Sequence, residues 1–354
     1  MEFNHKVYVN FVSELPLKGD SPKVVIESHS NEVFRVDFID VDKKELVNSI
    51  KTKANKTIFG GRQWYTNWLI NVYDEKNNLI HIETFNLNGK KVFIKMDATA
   101  LGDSISWIPY IEEFRKKHNC TVICSTFHNY IFENSYPEIL FVEPNIKIKN
   151  VYAQYYIGAN YGNNILYSPV DVRVSNLQSC AYKSLGLKPV EIRPNLTNSF
   201  NKNRVPNIRG KYVCISEYAS SEDKMWKDKN GWKKIVKFLK SKGYIVVSIS
   251  KEPSNIEGVI NLNGDMDLTE RMLDLYHADF FIGVSSGLSW LSWSVGTHVF
   301  MISDVTPTWH EFQTGVTRFS YKENNSIDFS VKSYTKCDVV LKHINEYIKR
   351  VEIQ

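Results

Sequence analysis

An aspartate directly after a glycine, in a turn between an apolar run and a helical period, is the first feature of this chain able to do chemistry. Val92, Phe93 and Ile94 lead into Ala98-Thr99-Ala100-Leu101-Gly102-Asp103-Ser104-Ile105. Phe280, Phe281 and Ile282 lead into a matching stretch, Gly283-Val284-Ser285-Ser286-Gly287-Leu288-Ser289-Trp290. Each reads as a buried strand, a small-residue turn and a helix start. Such a turn aims backbone N–H groups and the positive end of a helix dipole at whatever lies beyond the strand. The first carries an acid that can deprotonate an acceptor hydroxyl, and the second carries hydroxyls and amides on which phosphates can rest. Both have a plainer use as well, because Asp and Ser are favoured helix caps. The second turn lacks a Walker lysine and is not GxGxxG, so neither a P-loop nor a dinucleotide fingerprint applies.

Lys224, in Ser220-Ser221-Glu222-Asp223-Lys224-Met225-Trp226, follows the apolar run Tyr212-Val213-Cys214-Ile215. A lysine just past a strand end can neutralise a diphosphate leaving group, although many such lysines only face solvent. Trp309, His310 and Glu311, which follow the last strong apolar run, and His128 are candidate sugar or acceptor contacts or internal hydrogen-bonding residues. Thr99 and Gly102 belong to the same candidate group as neighbours of Asp103.

The elements that must position these residues fall into two textures. Residues 1–90 read as β: 33–38 and 79–85 alternate with period two. Asn88-Gly89 is a hairpin-type turn leading into 91–95. From Val92 onward strands alternate with helices, which implies parallel sheets. The spacing predicts a helix over 105–117 and strands over 121–124 and 139–142. A helix over 177–187 and a polar linker over 198–209 follow. A second series has strands at 212–215, 245–249, 259–260, 280–282 and 299–302, with helices over 232–239, 268–277 and 288–295. Val340, Ile344, Tyr347, Ile348 and Val351 outline a final amphipathic helix.

A chain of 354 residues with 43% hydrophobic content is long enough for two or three domains. The net charge of +5 is spread along the chain, which argues against nucleic acid as partner and allows an anionic small ligand. The cysteines Cys120, Cys124, Cys180, Cys214 and Cys337 contain no CxxC pair, so no zinc site or disulfide framework is indicated. The first residues lack the apolar run of a signal peptide, and no stretch is long and apolar enough for a membrane span. The expectation is a cytoplasmic protein without a transmembrane segment.

The order and spacing of these motifs resemble the ADP-heptose heptosyltransferases of glycosyltransferase family 9, and most closely the autotransporter heptosyltransferases. The likeness rests on residues 100–120, Tyr136-Pro137-Glu138-Ile139, Lys224-Met225-Trp226, residues 281–291 and Trp309-His310-Glu311-Phe312. It implies the GT-B architecture, an α/β fold of two facing Rossmann-like domains with a small N-terminal β-rich domain. The expected boundaries are 1–90 for the β-rich domain, 91–205 and 206–332 for the two Rossmann-like domains, and 333–354 for the C-terminal helix. By the resemblance, Asp103 is the general base, Lys224 contacts phosphate, and Ser285, Ser286, Gly287, Leu288 and Ser289 form the nucleotide-diphosphate loop.

The implied reaction is inverting transfer of heptose from ADP-heptose, without a metal, to a hydroxyl. An acceptor protein is favoured, because the extra β domain can offer a strand edge to an extended substrate. Transfer to a lipopolysaccharide or another glycan is the alternative. A non-catalytic sugar-nucleotide-binding protein is the alternative of another class. The resemblance also implies a homo-oligomer and an iron-binding C-terminal cysteine cluster. Only Cys337 lies beyond Cys214, so this chain lacks that cluster, and no cofactor is expected.

Overall fold

The computed structural model describes residues 5–12, 21–29, 31–96, 98–162, 168–320, 323 and 325–353. The N-terminal region is built from β1 (His5–Asn10), β2 (Lys23–Ser28), β3 (Val33–Asp40), β4 (Glu45–Lys53), β5 (Thr57–Phe59), β6 (Trp68–Tyr73) and β7 (Leu79–Thr84). They form two antiparallel sheets, ordered β1-β2-β5 and β4-β3-β6-β7. β3 and β6 bury every second residue, as a strand with one face on a core must.

The first parallel sheet contains β8 (Lys91–Met96), then α1 (Leu101–His118), β9 (Thr121–Ser125), β10 (Leu140–Val142) and β11 (Ala153–Ile157). Its order, β10-β9-β8-β11, reverses direction between β8 and β11. The Asn88-Gly89 turn therefore leads into no hairpin. Gly89 takes φ +69°, and the chain passes there from an antiparallel to a parallel sheet, with β8 paired to β9 and β11. The short α2 (Ser179–Ser184) replaces the longer helix expected over 177–187.

The second sheet is made by β12 (Tyr212–Ser216), α3 (Gly231–Ser241), β13 (Ile245–Ser248), β14 (Val259–Asn261), α4 (Leu268–His277), β15 (Phe281–Val284), α5 (Gly287–Val295), β16 (Val299–Ile302) and β17 (Val316–Phe319). Its order, β14-β13-β12-β15-β16-β17, is 3-2-1-4-5-6 within the domain, the Rossmann arrangement. Its strands read as continuous apolar runs because both faces are covered. The C-terminal α6 (Cys337–Val351) packs Cys337, Val340, Ile344 and Ile348 on this sheet's core, while Val351 is exposed. The expected architecture, two Rossmann-like domains preceded by a β-rich region, is the one observed.

The two Rossmann-like domains touch through their own helix starts. A Cβ on Gly287 would sit 2.9 Å from Leu101 Cβ, and one on Gly102 would sit 2.8 Å from the Trp290 ring. Glycine at both positions lets α1 and α5 meet almost backbone to backbone. Leu177 adds a second tie: its carbonyl accepts from Trp107 Nε1, and its N–H donates to the His310 carbonyl, both at 2.9 Å. We predict that Gly287→Val forces the two helices apart and destabilises the fold by about 1–3 kcal/mol. Thermal denaturation checks this, and an unchanged melting temperature would show that the contact is slack.

Candidate active site

In open α/β sheets, ligands bind beyond the carboxyl ends of the strands at the point where strand order reverses. This chain has two such points, β8/β11 and β12/β15, and the α1–α5 contact brings them face to face. The turn after β8 supplies Asp103, and the turn after β12 supplies Lys224. The turn after β15 supplies Ser286 and Gly287.

Asp103 is the third residue of α1, and it is not the cap. The N-cap is Ala100, with no side-chain cap bond. The carboxyl is largely buried, and that burial pushes it up to about 6, against the opposing pull of Lys224. Lys224 thus acts on Asp103 across the domain junction, from the three-residue 3₁₀ turn Glu222–Lys224. The same ammonium acts on His310, whose ring burial lowers its pKa. The Nδ1 of His310 lies 3.1 Å from the Ser175 carbonyl, which can only accept. That bond therefore puts the ring proton on Nδ1 and leaves Nε2 as the acceptor.

The Ser285–Ser289 turn divides its side chains between two directions. Ser285 Oγ donates to Glu311 Oε1 at 2.6 Å, and Ser289 Oγ donates to the Val284 carbonyl at 2.7 Å. Both hydroxyls are committed inside the fold. Ser286 occupies the N-cap position of α5 but caps nothing, and its Oγ has no hydrogen-bond partner. Gly287 and Leu288 are half-buried beside it. The group offered to a ligand is therefore the first turn of α5, with its free N–H groups and the Ser286 hydroxyl.

Glu311 faces inward. Burial alone would raise its carboxyl, but Arg318, His310 and the hydroxyls of Ser285 and Thr306 hold it down at about 2. Arg318 pairs with it through Nη1 and donates from Nη2 to the Thr306 carbonyl at 3.0 Å. Trp309 is half-buried beside His310. His128 takes an internal bond, Nδ1 to Ser104 Oγ at 3.2 Å, behind the first turn of α1. Thr99 is exposed in the turn before α1, and Gly102 is the contact to Trp290.

One neighbour of Asp103 escaped sequence reasoning. Tyr161 lies just past β11, is exposed, and its phenol feels the Asp103 charge. The sequence signal was weak, a five-residue strand in the stretch where the strand–helix pattern fades. Alternation in Ala153-Gln154-Tyr155-Tyr156-Ile157 was the one cue available.

Sequence comparison gives this site its relatives. The model of the family described as Glycosyltransferase family 9 (heptosyltransferase) matches residues 171–308. Autotransporter heptosyltransferase Aah of Escherichia coli is 31% identical over 294 residues, which cover 79% of this chain and 74% of that protein. Inactive autotransporter heptosyltransferase BimC of Burkholderia thailandensis is 31% identical over 265 residues, covering 72% and 62%. The crystal structure of dodecameric iron-containing heptosyltransferase TibC, from enterotoxigenic E. coli, in complex with ADP-D-β-D-heptose shares the fold. Its TM-score is 0.82 over 97% of this chain and 96% of that one, at 23% identity.

That structure is named as iron-containing, and the described residues of this chain bring no cysteine cluster together. Cys120, Cys124, Cys180, Cys214 and Cys337 are each buried, divided among the link between α1 and β9, β9 itself, α2, β12 and α6. Among the described residues no group of three or more His, Cys, Asp or Glu could hold a metal ion. No helix among them is long and apolar enough to cross a membrane.

Proposed function

The chain belongs to the autotransporter heptosyltransferases of glycosyltransferase family 9, and from that premise we propose that it moves a heptose from an ADP-linked donor to a hydroxyl, with inversion, in the cytoplasm. The acceptor in this reading is a serine or threonine of a protein. One relative is named inactive, so membership alone does not bring activity. What carries the reading is the meeting of the amino-terminal ends of α1 and α5, which puts Asp103 of one switch point within electrostatic reach of Lys224 from the other.

The chemistry follows from that arrangement. The acceptor oxygen attacks the anomeric carbon as its proton passes to the Asp103 carboxylate. The bond from that carbon to the diphosphate breaks on the other face of the sugar, and ADP leaves with the electron pair. Lys224 and the free N–H groups of α5, half-buried and in place from the start, meet the charge that grows on the diphosphate. A carboxylate with a pKa near 6 is ionised at neutral pH yet basic enough to share a proton in the transition state. No metal enters this scheme. The outer strand β7 of the N-terminal region, with Leu79 and Ile82 exposed, supports an extended protein acceptor, since an unpaired edge can add a strand.

The direct test incubates the protein with ADP-heptose and an autotransporter passenger fragment, with lipopolysaccharide core in a parallel reaction. A heptose mass on a serine or threonine peptide supports the reading. Label on the glycan alone would move the acceptor to lipopolysaccharide, and ADP-heptose binding without turnover would make the protein a non-catalytic binder. A second expectation is an acid limb in kcat/KM. Activity rises with pH through about 6, as Asp103 ionises, and then levels off. A profile flat from pH 5 to 8 would exclude Asp103 as the base.

A further inference from the structure

Lys224 sits on a loop whose only regular structure is the turn Glu222–Lys224. An ammonium on such a loop stays opposite a diphosphate only if the loop is fastened from beneath. Trp226 provides that fastening. Its ring is buried at 85° to Trp232, with centroids 5.6 Å apart, and a Cβ on Gly231 would come within 2.3 Å of it. Its Nε1–H donates to the Thr335 carbonyl at 2.8 Å.

Thr335 is part of the segment entering α6. From its N–H and Oγ1 it donates to Asp304 Oδ1 at 3.1 and 2.7 Å. Asp304 and Ser303 are neighbours in the exit from β16. Ser303 Oγ lies 2.7 Å from Thr306 Oγ1, and Thr306 Oγ1 donates to Glu311 Oε1 at 2.9 Å. The single Thr306 proton goes to the carboxylate, so Ser303 must be the donor in the bond between them. Glu311 then takes Ser285, which leads directly into the first turn of α5. Ser285, Ser303, Thr306, Glu311 and Thr335 are all buried.

A string of polar groups is a poor way to build stability, because well-packed apolar residues do as well without the desolvation cost. It is a good way to fix a distance. We infer that this chain of bonds, from Trp226 through Thr335, Asp304, Ser303 and Thr306 to Glu311 and Ser285, sets the spacing between Lys224 and the amino-terminal turn of α5. Trp226 and Glu311 are then positioning residues for the donor's diphosphate, although neither touches it. The inference rests on the donor reading above. It also gives the C-terminal segment a part in donor binding, since Thr335 is the middle link.

The test is a double-mutant cycle on ADP affinity, measured by calorimetry. The unmodified protein is titrated first; no binding there overturns the donor reading and this inference with it. Trp226→Phe keeps an aromatic ring in the buried cluster while it removes the Nε1–H together with part of the indole frame, so Asp304→Asn is measured beside it as the substitution that leaves the packing intact. Trp226→Phe is expected to weaken ADP binding by about 5–20-fold, to raise the donor KM, and to leave the acceptor KM unchanged. In a Lys224→Met background the same substitution should change ADP affinity less than twofold, because the group it positions is gone. Equal losses in both backgrounds would show a general structural role and overturn the inference. Asp304→Asn, which loosens the Thr335 anchor without altering shape, gives the same reading should Trp226→Phe fold poorly. ADP binding within twofold of the parent in the folded variants overturns the inference alone.

Discussion

Asp103→Asn is expected to lower the rate of transfer by about 10²- to 10⁴-fold while ADP still binds. Asparagine keeps the size and polarity of the side chain and removes only its basicity. The variant should also be more thermostable at neutral pH. A carboxyl raised from 3.8 to about 6 in the folded state favours folding below the unfolded value, and that contribution is lost as pH rises through about 6. At pH 7.5 the ionised, largely buried side chain therefore costs stability on the order of 1–3 kcal/mol, which the neutral amide does not. Two readouts moving in opposite directions are hard to obtain from simple misfolding. A variant that transfers at a tenth of the parent rate or better would remove Asp103 from the role of base.

Lys224→Met should cost about 10²- to 10³-fold in kcat, since an ammonium that meets leaving-group charge acts most strongly in the transition state. ADP affinity should fall by about tenfold or more, and the preference for ADP over AMP should shrink, because the lost partner is the diphosphate. A subtler effect identifies the geometry. Lys224 pulls the Asp103 carboxyl down, so its removal should move the acid limb of kcat/KM to higher pH. A limb that stays in place would mean that the two residues do not share a site in solution, whatever happens to the rate.

Much of this was legible in the chain. Continuous apolar runs at 212–215, 280–282 and 299–302 marked strands buried on both faces, and the small-residue turns after two runs marked the helix starts that carry Asp103 and Ser286. Those signals are local: a strand buried on both sides must be apolar along its length, and a chain that turns sharply into a helix needs small residues there. β11 and β17 were harder to see. β11 alternates over only five residues, and β17, Val316–Phe319, holds a threonine and the arginine that pairs with Glu311.

The side-chain directions were not legible at all. Ser285, Ser286 and Ser289 look alike in sequence, yet two of them bond inward and one is left without a partner. Glu311 reads as a possible sugar contact until Arg318 is seen beside it. Trp226 stands in the sequence only as part of the Lys224-Met225-Trp226 motif, and nothing there tells that its N–H reaches Thr335, 109 residues away. Composition and period thus determined that there would be two parallel sheets with an acid and a lysine past their strand ends. Only the tertiary structure decided that α1 and α5 meet through glycines, that Asp103 caps nothing and faces Lys224, and that Glu311 belongs to a buried chain. The reason is physical: burial leaves a periodic trace along the backbone, whereas a hydroxyl or carboxylate is the same residue whether its partner is a ligand or a side chain brought from far along the chain.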